Sequence, residues 1–146
     1  MRILALDVGT KRIGTAVSDP LGITAQGLGV IERRNLESDL QVLRRIIEEQ
    51  GVTSLLLGLP LNMNGTLGDK AREVQELGDR LAQEFGLVVE YQDERLSTKA
   101  VEGTLISADV SRRKRRKVVD KLAAVFILQG YLDRKGHQNN RGLIDI

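Results

Sequence analysis

Residues 2–18 read RILALDVGTKRIGTAVS and contain the first two predicted strands with the connection between them. The first half of this stretch, residues 2–8, is an apolar run that ends at Gly9, which is typical of a β-strand. Residues 12–18 form a second short run after a Gly-Thr-Lys connection, and this spacing predicts an antiparallel hairpin. Period-two alternation places Asp7 on the same face of the first strand as Ile3 and Ala5. The sequence therefore presents an acid at the end of an apolar strand.

Strands and helices alternate over the next part of the chain. A third strand is predicted within 23–31, and Asn35 can cap a helix that Gly51 ends. The apolar positions of this helix recur at helical spacing: Leu36, Leu40, Leu43 and Ile47. Residues 53–59 form an apolar strand before Pro60, and their lack of alternation predicts burial on both faces.

A loop at 60–68 leads to a second helix, which Gly86 ends. The inner stripe of this helix is Ala71, Val74, Leu77, Leu81 and Phe85. A fifth strand is predicted at 87–92, a short helix at 98–106 and a long helix from about 116 to 134. The stretch 118–132 is apolar almost all round, which predicts a buried helix.

The order β-β-β-α-β-α-β-α predicts an α/β fold with a mixed five-stranded sheet and helices on both faces. This is the ribonuclease-H-like arrangement. We expect one such domain over 1–135 and a polar tail over 136–146. A dinucleotide-binding fold is excluded, because no GxGxxG loop follows the first strand.

Composition narrows the functional class. The chain has 146 residues and no cysteine, so disulfides and zinc–thiolate sites are excluded. No signal peptide or membrane span is predicted, and we expect a cytoplasmic protein. Net charge is +2, yet six cations run without a break over 112–117, so the remainder carries −4. These cations, Arg112, Arg113, Lys114, Arg115, Arg116 and Lys117, form either a solvated surface run or a contact for nucleic-acid phosphates.

Acidic residues provide the candidate chemistry. Asp7 ends the first strand, Asp93 and Glu94 end the fifth, and Asp120 lies on the predicted buried helix. A buried carboxylate needs a cation, a hydrogen-bond network or a metal. Alternation sends Asp93 and Glu94 to opposite faces, so only one of them can join Asp7. Several carboxylates together suit Mg²⁺ or Mn²⁺, which can drive phosphodiester cleavage.

Four segments together resemble the YqgF/RuvX family of Holliday-junction-resolvase-like pre-16S ribosomal RNA nucleases. They are residues 7–14 (DVGTKRIG), 58–65 (GLPLNMNG), 93–98 (DERLST) and 117–124 (KVVDKLAA). The resemblance covers residues 1 to about 134, in order and at the expected spacing.

The resemblance implies a ribonuclease-H-like nuclease that depends on a divalent metal and matures the 5′ end of 16S ribosomal RNA. It places the family's acids at Asp7, Asp93 or Glu94, and Asp120, and we prefer Glu94. Pre-ribosomal RNA, ribosomal precursor particles or junction DNA are the expected partners. One departure from ribonuclease H enzymes is that the fourth strand ends Gly58-Leu59-Pro60 without a carboxylate.

Further contacts to substrate are expected from Gly9, Lys11, Arg12 and Arg95. A glycine after Asp7 would let a phosphate backbone approach closely, and the three cations are alternative phosphate contacts.

Two other functions compete with a nuclease. A turn such as Asp-Val-Gly-Thr also resembles the phosphate-binding turn of actin-like ATPases and sugar kinases. Those proteins enclose nucleotide between two lobes, whereas this chain supplies one. A non-catalytic module that binds structured nucleic acid through the basic run is the second rival, and it would not need the acids.

Overall fold

The computed structural model describes residues 2–93 and 121–136. Within them the expected elements are confirmed, with ends shifted by one or two residues. The strands are β1 (Ile3–Val8), β2 (Arg12–Ser18), β3 (Ala25–Glu32), β4 (Ser54–Leu59) and β5 (Val88–Asp93). The helices are α1 (Leu36–Gln50), α2 (Asp69–Phe85) and a stretch over 121–136, called α3 here. The helix expected at 98–106 and the start of the last helix lie outside the described residues.

The five strands form one mixed sheet with the order β3-β2-β1-β4-β5. Antiparallel pairing joins β1 to β2 and β2 to β3, as the predicted hairpin requires. Parallel pairing joins β1 to β4 and β4 to β5. The central strand is therefore β1, and its carboxyl end lies beside the carboxyl ends of β4 and β5.

Each face of the sheet is covered by different helices. Leu4 and Leu6 of β1 belong to a core that includes Leu43 of α1 and Leu81 of α2. Ile3 and Ala5, which alternate with Leu4 and Leu6 along β1, belong to a second core beneath α3. This second core comprises Ile3, Ala5, Ala16, Leu56, Ala124, Ile127, Leu128 and Leu132. Residues 55–58 of β4 are buried throughout, so this strand is covered on both faces as expected.

Local chemistry sets the ends of α1 and α2. Asn35 caps α1 by accepting a hydrogen bond from the Ser38 amide at 2.9 Å. Gly51 and Gly86 follow the two helices with φ of 64° and 66°, a left-handed conformation that glycine adopts without steric cost. The three predicted helix boundaries are thus confirmed.

The expectation of a helix buried all round is wrong for the described part of α3. Ala124, Ile127 and Leu128 are buried, but Phe126 is 46% exposed and Lys121 is exposed. Only one side of α3 lies on the sheet, so the apolar residues on its other side face outward.

Candidate functional site

A single row of residues crosses the sheet at the carboxyl end of β1. Asp7 pairs with Gly14 of β2, which in turn pairs with Val30 of β3. On the other side, Leu6 pairs with Leu57, so the next residues, Asp7 and Gly58, lie level. Gly58 pairs with Gln92 of β5. We call Val30, Gly14, Asp7, Gly58 and Gln92 the Asp7 row.

The Asp7 row lies on the face of the sheet that α3 covers. Ala5, Ala16 and Leu56 all belong to the core beneath α3. Asp7, Gly14 and Gly58 each lie two residues from one of these positions, so they share that face. The sequence prediction that Asp7 shares a face with Ile3 and Ala5 is confirmed.

Asp7 therefore has a glycine beside it on both neighbouring strands. A glycine inside a strand often marks a place where a ligand or another backbone approaches closely. Neither Gly14 nor Gly58 is among the glycines with positive φ, so no turn geometry explains them. The space on both sides of the carboxylate is free of side chains from those two positions.

Gln92 brings an unusual polar group to the far end of the Asp7 row. Its Oε1 is buried, and within the described residues it has no hydrogen-bond partner. Its Nε2 lies beside α3, where a Cβ added at Gly130 would stand 3.4 Å away. Such an orphaned acceptor is uncommon in native proteins and calls for a physical explanation.

Asp93 lies on the opposite face from Asp7. The neighbouring odd-numbered residue Tyr91 donates a hydrogen bond from its hydroxyl to the Gln75 carbonyl of α2 at 3.3 Å. Alternation places Asp93 on this α2 side and Gln92 on the α3 side. Of the acids at the end of β5, Asp93 is thus directed away from the Asp7 row.

The remaining site predictions lie outside the described residues: Glu94, Arg95, Asp120 and the basic run 112–117. Within residues 2–93 and 121–136, no group of three or more histidine, cysteine, aspartate or glutamate residues could hold a metal ion. Asp7 is half-buried there and does have interactions of its own.

Gly9 has a structural explanation that differs from the expected one. Its amide donates to the Arg12 carbonyl at 2.8 Å, and an added Cβ would lie 2.8 Å from that same oxygen. Glycine is thus required by the turn between β1 and β2, whether or not phosphate approaches. Lys11 is exposed in this turn, and Arg12 pairs with Glu32 of β3.

Sequence reasoning missed Arg33, which holds this turn in place. Its Nη1 donates to the Gly9 carbonyl at 2.8 Å, and its backbone amide donates to the Lys11 carbonyl at 2.9 Å. Buried Asp39 accepts from the Arg34 amide and forms an ion pair with Arg33 at 3.6 Å. No short-range pattern marks Arg33, because its partners come from the distant β1–β2 turn.

A cleft of about 430 Å³ lies at the same end of the sheet but on the other face. Its walls include Gly9, Thr10, Asn35 and Lys70. Val8 of β1 lines it, and Val8 faces the core under α1 and α2. Asp7 does not line this cleft, so the carboxyl end of β1 borders two separate surfaces.

A second polar contact joins β5 to α3, one residue beyond Gly130 along the helix. Tyr131 donates a hydrogen bond from its hydroxyl to the Glu90 carboxylate. Burial, the hydrogen bond and the negative charge of Glu90 raise the pKa of Tyr131 to about 12. The phenol therefore remains a neutral donor near neutral pH, and this contact positions α3 over the face that carries Asp7.

No helix within the described residues is both long enough and apolar enough to cross a membrane.

Two solved resolvase structures are similar to this chain over most of its length. Thermus thermophilus RuvC in complex with a Holliday junction substrate matches with a TM-score of 0.52 and 17% identity, over 93% of this chain and 96% of that one. Fowlpox virus resolvase in complex with Holliday junction DNA matches with a TM-score of 0.55 and 15% identity, over 92% and 98%. These similarities show the ribonuclease-H-like fold.

Sequence relatives are much closer. A protein of Moorella thermoacetica named "Putative pre-16S rRNA nuclease" is 56% identical, over 93% of this chain and 97% of its own length. A protein of the same name from Symbiobacterium thermophilum is 56% identical, over 92% and 94%. The family model described as RuvX, Holliday junction resolvase, matches residues 1–134. With the Asp7 row at the carboxyl end of a resolvase-like sheet, this match shows that the chain belongs to the RuvX family.

Proposed function

We propose that this chain is a metal-dependent endonuclease that hydrolyses phosphodiesters in the 5′-end maturation of pre-16S ribosomal RNA, in the cytoplasm. The observation that carries the proposal is Asp7 between Gly14 and Gly58 at the carboxyl end of the central strand. Ligands of open α/β sheets bind at the carboxyl ends of strands, and a glycine inside a strand often marks the close approach of a ligand or another backbone. The names of the close relatives supply the substrate.

The donor atoms on this face suit Mg²⁺ or Mn²⁺. Asp7 offers carboxylate oxygens and Gln92 a buried amide oxygen, both hard donors that such ions prefer. We assign the metal to Asp7, Glu94 and Asp120. Such an ion, when bound, lowers the pKa of a bound water and stabilises the leaving oxygen, and two ions can share these tasks.

Alternation along β5 supports Glu94 over Asp93. Gln92 lies on the α3 side and Asp93 on the α2 side, so the same alternation continued by one residue assigns Glu94 to the face of Asp7. The helical period supports Asp120 in the same way. Ala124 and Ile127, four and seven residues after it, are buried against β1 and belong to the core that contains Ala5.

The nuclease proposal is tested by a cleavage assay with Mn²⁺. Pre-16S RNA, a four-way DNA junction and single strands are compared for the wild type and Asp7→Asn. We expect cleavage of the pre-16S RNA and a loss of about 10³-fold in Asp7→Asn, since metal stabilisation of several kcal/mol is removed at 1.36 kcal/mol per tenfold. Full activity in Asp7→Asn would exclude the proposal and favour a non-catalytic binding module.

Asp19→Asn is a matched control. Asp19 lies just after β2, at the opposite end of β2 from the Gly14 position, and its carboxylate accepts from the amides of Ile23 and Thr24. These hydrogen bonds lower the pKa of Asp19, but no metal chemistry is assigned to it. Asp19→Asn should cleave at the wild-type rate.

The choice between the two β5 acids has its own variant pair. Glu94→Gln should remove cleavage, whereas Asp93→Asn should retain most of it, because Asp93 faces α2. The reverse result would place Asp93 at the metal, and equal loss would assign Asp93 a role in orienting a neighbour.

The basic run supplies phosphate contacts in this proposal. Replacement of Arg112, Arg113, Arg115 and Arg116 by Gln should weaken binding to all nucleic-acid sequences alike. The log–log salt slope should become shallower by roughly 0.7–0.9 for each lost phosphate contact. Affinity is measured across a salt series, and an unchanged slope with unchanged affinity would leave Lys11, Arg12 and Arg95 as the phosphate contacts.

Junction DNA is the second candidate substrate, because the family model is described as a Holliday junction resolvase. The same panel decides between the two: cleavage of the four-way junction without cleavage of pre-16S RNA would replace the ribosomal proposal.

A further inference from the structure

The buried oxygen of Gln92 needs a donor or a cation. A buried acceptor without a partner costs stability, so sequences rarely retain one without compensation. Oε1 of Gln92 is such an acceptor within the described residues. A leucine or methionine in its place would pack against α3 without that cost.

Register places Gln92 level with Asp7 on the same face. Gly58 lies between them and contributes no side chain to the gap. Two strand spacings of about 4.8 Å separate their backbones, roughly 9.6 Å in all. The two side chains therefore extend from the same face of the sheet, with the width of β4 between their strands.

A hydrated divalent ion can bridge a separation of that size. Mg²⁺ binds oxygen ligands at about 2.0–2.1 Å and keeps several of its waters. A coordinated water can donate to an acceptor over about 2.7–2.8 Å. An ion held by Asp7 can thus present a water toward Gln92, which supplies the donor that Oε1 lacks.

We propose that Gln92 is a positioning residue of the metal site, whose Oε1 accepts a hydrogen bond from a water bound to the ion that Asp7 holds. This inference rests on the proposed metal dependence. At the level of Asp7, β4 carries Gly58 and no carboxylate, and the neighbouring strand β5 carries the neutral amide oxygen of Gln92. Partners of metal-bound groups commonly change metal affinity by 10–100-fold when they are removed.

The test measures Mn²⁺ binding to the intact chain by calorimetry, together with thermal unfolding with and without Mn²⁺. Gln92→Leu and Gln92→Met remove the acceptor, while Gln92→Glu retains an oxygen acceptor. We expect about a tenfold or greater loss of Mn²⁺ affinity in the first two variants and recovery in Gln92→Glu. Without metal, the melting temperature of Gln92→Met should equal or exceed that of the wild type, because an unsatisfied acceptor is gone.

Tyr91→Phe is the matched control, since Tyr91 adjoins Gln92 on β5 but faces α2. Its Mn²⁺ affinity should equal that of the wild type. Wild-type Mn²⁺ affinity in both Gln92→Leu and Gln92→Met would overturn the inference while leaving the nuclease proposal intact. Absence of Mn²⁺ binding by the wild type would instead overturn the metal dependence on which both rest.

Discussion

The two ends of β1 differ in how their polar groups are satisfied. At the amino end, Ser18 is fully buried and its hydroxyl accepts from the Ile3 amide at 2.8 Å. Arg2 donates there to the carbonyl of Ser18 at 3.0 Å and to that of Gln50 at 2.8 Å. At the carboxyl end, Asp7 stands between two glycines, and Gln92 keeps a buried acceptor without a partner in the described chain.

This difference assigns stability to the amino end of β1 and function to its carboxyl end. Satisfied buried polar groups stabilise the fold, whereas an unsatisfied buried acceptor costs stability and is retained where a ligand completes it. Variants at the amino end should therefore change the free energy of unfolding, and variants at the carboxyl end should change catalysis.

Within this comparison, the largest effect is expected from a side chain added beside Asp7. Gly14→Val should lower the cleavage rate by about 10²-fold, since displacement of a substrate by about 1 Å can cost that much. Gly14 is itself buried, so Gly14→Val should also lower the melting temperature, and its cleavage is compared with that of the wild type at a temperature where both are folded. Rates and melting temperatures are measured for Gly14→Ala and Gly14→Val.

Gly58→Val makes the same change on β4, on the other side of Asp7. Gly14→Ala should lower the cleavage rate less than Gly14→Val does. A folded Gly14→Val protein that cleaves at the wild-type rate would show that substrate does not cross β2 at this point.

Much of this arrangement could be predicted from the sequence. Apolar alternation and glycine and asparagine signals gave the strands, the helix ends and the face of Asp7, because these depend on neighbours in the chain. The sequence analysis named only Gly9 for a close approach of backbone and did not identify Gly14 and Gly58 in this role. The position of Gly58 level with Asp7 depends on the register between β1 and β4, which are distant in sequence.

Contacts between elements distant in sequence also explain other features that the sequence analysis did not identify. Gln92 lies beside the predicted acids of β5, but its position next to Gly130 depends on how α3 packs on the sheet. Phe126 could not be distinguished from the buried residues of its helix, because an apolar stretch does not reveal which side meets the sheet. Gly9 stays a predicted phosphate contact, and the structure adds a local reason for glycine there, because an added Cβ would lie 2.8 Å from the carbonyl oxygen of Arg12.

A smaller effect, on stability alone, is expected at the amino end. Ser18→Ala removes the acceptor for the buried Ile3 amide and should lower the free energy of unfolding by about 1–3 kcal/mol. Cleavage at a temperature where the variant is folded should equal that of the wild type. Denaturant unfolding and the cleavage assay measure the two quantities.

Thr53→Ala is the control for Ser18→Ala, because Thr53 accepts from the Arg2 amide at the same end but is exposed. Its cost should stay within about 0.5 kcal/mol. If folded Ser18→Ala lost cleavage, the amino end of β1 would contribute to catalysis as well as to stability, which contradicts the comparison.

The smallest effect concerns the two faces at the carboxyl end. Asn35 caps α1 and lines the cleft under α1 and α2, on the face opposite Asp7. Asn35→Ala leaves the Ser38 amide without its cap and should cost about 1 kcal/mol of unfolding free energy, while Asn35→Asp retains an acceptor and should cost less. Because the assigned metal chemistry lies on the α3 face, both variants should cleave at the wild-type rate. A loss of cleavage in Asn35→Ala that exceeds the unfolded fraction would show that this cleft is part of the active site. Residues on both faces at the carboxyl end of the sheet would then contribute to catalysis.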